Sequence, residues 1–246
     1  MRIKLTIEYL GTNYSGWQNQ RDANSVQAEL ERALAEATGE KASIEASGRT
    51  DKGVHALMQV AHFDSESNIP AENFYKVLNQ KLPHDIRVTS SEEVSAEFHA
   101  RFNAKRKTYC YNFYVSELAR PLLSATYAHI KPEFNFKQAQ LCTSAYVGEH
   151  DFKAFMSTGS NKEVTVRTIY SCTLTHNKEL NTYSLRVCGN GFLYNMVRII
   201  AGTVIAVGAG KIKAEDVTQI IKDGKREGAG ETAPANGLML EAVEYS

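Results

Sequence analysis

The sequence has few cysteines and no arrangement of them that is typical of a metal site or a disulfide framework. Its four cysteines stand far apart in a chain of 246 residues, at Cys110, Cys142, Cys172 and Cys188. Metal-binding cysteines usually come in closely spaced pairs, and disulfide scaffolds are short and rich in cysteine. The pattern therefore predicts reduced thiols in a cytoplasmic protein.

Long apolar runs are also absent. The first residues alternate between polar and apolar and lack the apolar run of a signal peptide. The longest apolar stretch, around Ile199 to Val207, is interrupted by Gly202 and Thr203 and is shorter than a bilayer requires. We expect a soluble intracellular protein that does not contact the membrane.

Several motifs of catalysis and cofactor binding are missing. The sequence contains no P-loop, no strand-linked G-x-G-x-x-G, no G-x-S-x-G elbow and no closely paired histidines. These motifs hold phosphates, dinucleotides, nucleophilic serines and metal ions. We therefore expect no metal and no nucleotide cofactor.

Net charge is zero, with 28 basic and 28 acidic side chains. Residues 1–104 carry 11 basic and 15 acidic side chains, whereas residues 105–246 carry 17 basic and 13 acidic ones. Because a nucleic-acid footprint is local, this modest polarity fits a binding surface and ordinary scatter equally well.

Periodicity predicts an α+β fold in two lobes, 1–104 and 105–246. Strict alternation over 2–9 and 108–115 predicts half-buried strands, and a helix should begin at Asn24 or Ser25 and end at Gly39. Further strands are expected near 43–47, 57–63, 166–175 and 182–188, a strand followed by a loop at 86–98, and further helices at 71–81, 135–146, 192–208 and 214–222. Each lobe should be a mainly antiparallel sheet with helices on one face, with an active-site cleft between the lobes.

A polar loop between two predicted strands, GRTDKGVHA at 48–56, is the first candidate site. Its two glycines permit tight turns, and Arg49, Thr50 and Asp51 stand between them. Asp-x-Gly is also a common turn signature. Arg49 favours a functional role, because in an extended segment it points the same way as Asp51.

Arg198 is the second candidate, in a segment that is apolar almost all round. A buried guanidinium without a partner is costly, so Arg198 predicts a carboxylate from elsewhere in the chain, for which Asp51 is the best candidate. A purely structural ion pair, or an arginine that reaches water along the helix flank, remains an alternative.

A basic and aromatic segment, 98–111, is the third candidate. Its basic residues are Arg101, Lys105, Arg106 and Lys107. Cations contact phosphates and aromatic faces stack on bases, so this mixture suits RNA. A solvated basic surface, with Tyr109 and Tyr111 in the core, explains the same pattern.

Together these segments resemble the tRNA pseudouridine synthase A (TruA) family. The loop GRTDKGVHA is similar to the catalytic loop of that family. The other similar segments follow in family order: LPHDIRV (82–88), FHARFNAKRKTYCY (98–111), HDFKAF (150–155), GNGFLYNMVRIIAGT (189–203) and APANGLML (233–240). Lys52 fills a variable position of the loop, and Cys110 stands where other residues are usual.

The resemblance implies the pseudouridine synthase fold and an isomerase that converts uridine to pseudouridine at positions 38, 39 and 40 of the tRNA anticodon stem-loop, without cofactor or metal. It implies that Asp51 is the catalytic aspartate and that Arg49 fills the space left by the flipped base. Tyr109 would pack on the uracil ring, and Arg198 would pair with the aspartate. A homodimer that binds tRNA is also implied.

Two other functions are compatible with the residues. A non-catalytic tRNA-binding or chaperone protein could use the same scaffold, but it would not need Asp51 paired with a buried Arg198. A base-excising glycosidase would need a second carboxylate near Asp51. The nearest candidate is Asp85 in LPHDIRV, for which the sequence shows no second role.

Overall fold

The computed structural model describes residues 1–20, 23–131, 133–157 and 164–246. The chain divides into two compact units. The first consists of residues 1–105 together with 239–246, and the second of residues 106–238. Each unit combines a sheet with helices, which confirms the expected α+β class.

The described residues form ten strands and five α-helices. The strands are β1 (Arg2–Tyr9), β2 (Glu45–Ala46), β3 (His55–Asp64), β4 (Ile86–Val94), β5 (Arg106–Val115), β6 (Ala128–Ile130), β7 (Gly148–Asp151), β8 (Val166–Asn177), β9 (Thr182–Gly189) and β10 (Leu238–Glu244). The helices are α1 (Val26–Thr38), α2 (Phe74–Asn79), α3 (Phe136–Leu141), α4 (Met196–Gly208) and α5 (Val217–Asp223). Among these described residues, no helix is long and apolar enough to cross a bilayer.

The sheet of the first unit has the order β4-β1-β3-β10, with β1 antiparallel to both of its neighbours. β10 runs parallel to the start of β3, with Met239 opposite His55, and β2 is antiparallel to the end of β3, with Glu45 opposite His62. The expected alternation in β1 is confirmed, because Ile3, Leu5, Ile7 and Tyr9 are buried. The loop with Asp51 therefore connects β2 to β3.

Helix α1 follows the capping rules closely. The side chain of Ser25 accepts a hydrogen bond from Ala28 N, and Gly39 ends the helix in the left-handed region at φ 76°. The cap is therefore Ser25 and not Asn24. In the first turn, Gln27 Nε2 donates to Glu31 Oε1, and Gln27 Oε1 accepts from Asn19 N.

The sheet of the second unit has the antiparallel order β5-β9-β8-β7, and β6 runs parallel to β5. Its most apolar helix, α4, is buried along most of its length, as expected. However, α4 begins at Met196 and not near Phe192, because Gly191 (φ 156°) and Asn195 (φ 60°) lie outside the right-handed helical region.

The three other expected helices are also shorter than the periodicity suggested. Over 214–222, a 3-10 helix at Ala214–Asp216 leads into α5. Over 71–81, a 3-10 helix at Ala71–Asn73 leads into α2. Over 135–146, α3 gives way to a 3-10 helix at Cys142–Tyr146. The apolar period continues through these segments, but the backbone tightens to 3-10 geometry at the start of two of the helices and at the end of the third.

Candidate active site

Side chains of the loop 47–54 differ in their exposure to solvent. Thr50 is buried, Arg49 on one side of it is exposed, and Asp51 on the other side is half-buried. The amide of Val54 donates to the carbonyl of Asp51 at 3.1 Å, and Gly53 has φ 78°. The Asp-x-Gly turn is therefore present, and Asp51 begins it.

Buried polar groups of β1 and β3 form hydrogen bonds with this loop. The hydroxyl of Ser47 donates to Gln59 Oε1 at 2.7 Å, and Gln59 Nε2 donates to the carbonyl of Gly48 at 2.9 Å. The hydroxyl of Tyr9 lies 2.8 Å from Thr50 Oγ1. Burial raises the pKa of Tyr9 to about 12, so its hydroxyl stays protonated. Satisfied buried hydrogen bonds of this kind give the loop one conformation.

The segment that follows β1 supports the loop from the side. The amide of Trp17 donates to the carbonyl of Thr50 at 3.0 Å, and the amide of Gly53 donates to the carbonyl of Tyr14 at 3.3 Å. The amide of Gly11 donates to Nδ1 of His55 at 2.8 Å. These contacts bracket Asp51 on both sides.

Two glycines allow this close approach. A Cβ on Gly11 would lie 2.0 Å from the carbonyl oxygen of Val54, and one on Gly16 would lie 2.5 Å from that of Thr50. Gly16 also has φ 102°. Sequence reasoning missed this support. Its signal was the pair of glycines in the turn-rich segment after β1, since a positive φ and close backbone packing both favour glycine.

Tyr109 lies on β5 in the second unit, half-buried, opposite Val187 of β9. Phe192 packs against its ring edge to face, with ring centroids 5.2 Å apart and planes at 87°. This is a favourable aromatic geometry, and it fixes the orientation of the tyrosine ring.

Arg198 is half-buried in the first turn of α4. Its Nε donates to the carbonyl of Ala233 at 2.7 Å and its Nη1 to Asn195 Oδ1 at 2.9 Å. Both of these acceptors are neutral, so they orient the guanidinium without cancelling its charge. The expected pairing of Arg198 with a carboxylate stays a prediction.

The four basic residues of segment 98–111 differ in their exposure and in the aromatic rings beside them. Arg101, Lys105 and Arg106 are exposed, and Lys107 is half-buried. In the first unit, the guanidinium of Arg101 lies 5.7 Å from the ring centre of Phe102, whose exposed fraction is 73%. In the second unit, Arg106 lies 4.8 Å from the ring centre of Tyr170, which is also exposed.

Glu45, His62 and His99 form the one group of three potential metal ligands among the described residues. Nδ1 of His62 accepts from Ala100 N at 3.3 Å, and Nδ1 of His99 accepts from Arg101 N at 3.1 Å. A neutral imidazole whose Nδ1 is an acceptor carries its proton on Nε2. Nε2 of His99 lies 3.2 Å from Glu45 Oε2. Nε2 of His99 is therefore a hydrogen-bond donor to Glu45, and the Nδ1 atoms of both histidines are already used as acceptors of backbone amides.

Comparisons with known proteins identify the family of the chain. The family model described as "tRNA pseudouridine synthase" matches residues 5–103 and 143–246. A tRNA pseudouridine synthase A from Acetivibrio thermocellus is 47% identical over 99% of both chains, and one from Ruminiclostridium cellulolyticum is 48% identical over 99% of both. Among solved structures, a chain of a Cbf5-Nop10-Gar1 complex superposes with a TM-score of 0.33 and 9% identity, over 82% of this chain and 54% of that one.

Proposed function

Because the chain belongs to the tRNA pseudouridine synthase family of isomerases, we propose that it converts uridine to pseudouridine at positions 38, 39 and 40 of the tRNA anticodon stem-loop, with Asp51 as the catalytic carboxylate. The observation that carries this proposal is the position of Asp51. It begins a turn whose flanking backbone is hydrogen-bonded on both sides, at Thr50 O and at Gly53 N. A reacting carboxylate needs a supported position of this kind.

The isomerisation breaks the N1–C1′ bond of uridine, rotates the uracil and forms the C5–C1′ bond, while C5 loses a proton and N1 gains one. Asp51 can assist as a nucleophile at C1′ of the sugar or C6 of the uracil, or as a base at C2′. While it is still ionised, a carboxylate next to C1′ also stabilises the oxocarbenium-like sugar that develops as the N1–C1′ bond breaks. The atoms and electrons balance, so we propose that no cofactor takes part.

Arg198 supplies the positive charge that keeps the carboxylate ionised when substrate is bound. The two hydrogen bonds from its Nε and Nη1 hold the guanidinium in one orientation. A fixed, partly desolvated cation lowers the pKa of a nearby carboxyl group and directs it.

Arg49 and Tyr109 act on the base. The target uridine is stacked in the stem, and its extrusion costs a few kcal/mol. Arg49 is exposed beside Asp51 and can occupy the vacated space by stacking and by contacting phosphate. Tyr109, oriented by Phe192, offers a flat face for the uracil and a hydroxyl for proton transfer.

Contacts with the rest of the tRNA come from Arg101, Lys105, Arg106 and Lys107. Their charges are suited to phosphates, and binding should weaken as salt rises. The exposed rings of Phe102 and Tyr170, each below a guanidinium, add surfaces on which unpaired bases can stack.

We also propose that the protein acts in the cytoplasm as a homodimer. Leu118 and Leu122, with exposed fractions of 81% and 99%, lie between β5 and β6, Leu122 within the 3-10 helix Pro121–Leu123. Exposed apolar residues of this kind are suited to a subunit contact. Light scattering should give a dimer mass for the wild type and a lower mass for Leu122→Glu.

Release of tritium from uridine C5 in tRNA transcripts tests the function. The label leaves only when C5 becomes the glycosidic carbon. We expect release by the wild type and by Lys52→Ala, an exposed neighbour in the same loop, and none by Asp51→Ala, which should still bind tRNA. Absence of release by a folded wild type that binds tRNA would favour a binding or chaperone protein instead.

A further inference from the structure

Asp85, for which the sequence shows no role, has all of its acceptor groups bonded to the segment 10–14. Its Oδ1 accepts from the hydroxyl of Tyr14 at 2.6 Å, and its Oδ2 accepts from Asn13 Nδ2 at 2.9 Å. Its backbone carbonyl accepts from Leu10 N at 2.9 Å. Asp85, the residue before β4, is therefore joined to the turn after β1 by three hydrogen bonds.

That turn contacts the catalytic loop directly. The carbonyl of Tyr14 accepts from Gly53 N, two residues after Asp51. Three residues further along, Trp17 N donates to the carbonyl of Thr50, one residue before Asp51. The side chains of Tyr14 and Trp17 are only 3% and 2% exposed, so this segment is packed in place and not merely laid on the surface.

We propose that Asp85 and Tyr14 are positioning residues. Their hydrogen bond keeps the turn after β1 in place, and the backbone of that turn bonds to the loop on both sides of Asp51. We call this arrangement the clamp. This inference rests on the catalytic role proposed for Asp51. A displacement of a reacting group by about 1 Å can cost a hundredfold in rate. A clamp on the loop backbone should therefore affect the chemical step far more than the binding of tRNA.

The charge states of the two residues suit this role. Burial opposes ionisation of Asp85, but the hydrogen bonds from Tyr14 and Asn13 outweigh it, and the pKa of Asp85 lies below its ordinary value. Burial and the adjacent carboxylate raise the pKa of Tyr14. An ionised acceptor therefore meets a protonated donor, which gives a strong, short hydrogen bond.

Tyr14→Phe removes the hydroxyl and keeps the ring, and Tyr114→Phe is its matched control. Tyr114 is also buried, and its hydroxyl accepts from Arg120 N in the second unit. We expect kcat for tritium release to fall about tenfold or more in Tyr14→Phe with KM changed by less than about twofold. Tyr114→Phe should keep the wild-type kcat and KM.

Trp17 is the single tryptophan of the chain. Its fluorescence therefore measures how tightly this turn is packed, independently of activity. In Tyr14→Phe we expect acrylamide to quench Trp17 fluorescence about twofold faster, and the amides of Trp17 and Gly53 to exchange faster with solvent. Tyr114→Phe should leave both readouts unchanged. Asp51→Ala should abolish tritium release without changing Trp17 quenching.

Two further variants keep the test decisive if Tyr14→Phe does not fold. Asn13→Ala alters an exposed side chain and breaks one bond to Asp85. Asp85→Asn keeps an acceptor for Tyr14 but turns an amide donor towards Asn13, so kcat should lie between those of the wild type and Tyr14→Phe.

A reduced kcat in Tyr14→Phe, together with faster quenching of Trp17 and faster amide exchange, supports the clamp. A wild-type kcat in Tyr14→Phe, or a reduced kcat with unchanged quenching and exchange, would overturn it. Tritium release by Asp51→Ala would overturn the proposed role of Asp51, and the two failures are therefore distinguishable.

Discussion

The hydroxyl of Tyr9 and Oγ1 of Thr50 are 2.8 Å apart, and both side chains are buried. Thr50 immediately precedes Asp51, so this hydrogen bond joins the end of β1 to the loop for which we propose a catalytic role. A buried hydroxyl that loses its hydrogen-bond partner destabilises the folded protein. We therefore expect substitutions of Thr50 to lower both the free energy of unfolding and the activity.

Thr50→Val keeps the shape of the side chain and removes this partner of Tyr9. We expect the free energy of unfolding to fall by about 1–2 kcal/mol, because a buried hydroxyl loses a hydrogen bond. Tritium release should slow in parallel. Thr50→Ser, which keeps the hydroxyl, should lose less of both. Urea unfolding of the two variants measures the difference, and equal stability of Thr50→Val and the wild type would contradict this account.

Gly16→Ala should be much more destabilising than Gly39→Ala. Both glycines have positive φ, but nothing lies within 4 Å of a Cβ at Gly39, whereas the carbonyl oxygen of Thr50 would lie 2.5 Å from one at Gly16. We expect losses of about 1 kcal/mol for Gly39→Ala and about 2–4 kcal/mol for Gly16→Ala. Only Gly16→Ala should also reduce kcat. Thermal unfolding and tritium release check both points, and similar losses at the two sites would show that the loop tolerates displacement.

Phe102→Ala and Arg101→Ala should weaken tRNA binding in different ways. Loss of a stacking ring costs about 1–3 kcal/mol per base, so Phe102→Ala should raise the Kd about tenfold and leave its salt dependence unchanged. Arg101→Ala should lower the slope of log Kd against log salt by about one unit, because one phosphate contact is lost. Leu141→Ala, at another exposed apolar position, is the control. Equal salt slopes for all three variants would argue against a phosphate contact at Arg101.

His62 should make the first unit less stable in mild acid. Burial, and then the nearby His99 and Arg2, lower the pKa of His62 from its ordinary 6.5, while Glu45 opposes them in part. Below pH 6.5 the unfolded chain therefore binds a proton that the folded protein does not bind. The contribution of neutral His62 is fully present above that pH and is lost as the pH falls through the folded pKa.

Protonation at Nδ1 of His62 also removes the acceptor of Ala100 N, so the turn before Arg101 should loosen. Urea unfolding at several pH values between about 8 and 5 measures this dependence. His62→Gln should flatten the curve below pH 6.5, whereas His150→Gln in the second unit should not. An unchanged slope in His62→Gln would place the titration elsewhere.

The local sequence determined those segments whose structure depends only on residues close together in the chain. The alternation of β1, a helix start at Asn24 or Ser25, the end of α1 at Gly39 and the polar loop between β2 and β3 all follow from neighbouring residues, and the structure selects Ser25 as the cap. The family resemblance, too, rests on contiguous motifs. The start of α4 was wrong by four residues, because apolar periodicity continues through Phe192 while the backbone at Gly191 and Asn195 does not permit a helix.

Tertiary structure alone decided which distant residues support the loop. Asp85 and Tyr14 are 71 positions apart, and Tyr9 and Thr50 are 41 apart. It also placed residues 239–246 in the first unit, where β10 pairs with β3. The reason is physical: periodicity is a property of one segment, whereas a hydrogen-bond partner depends on strand register and on how segments pack.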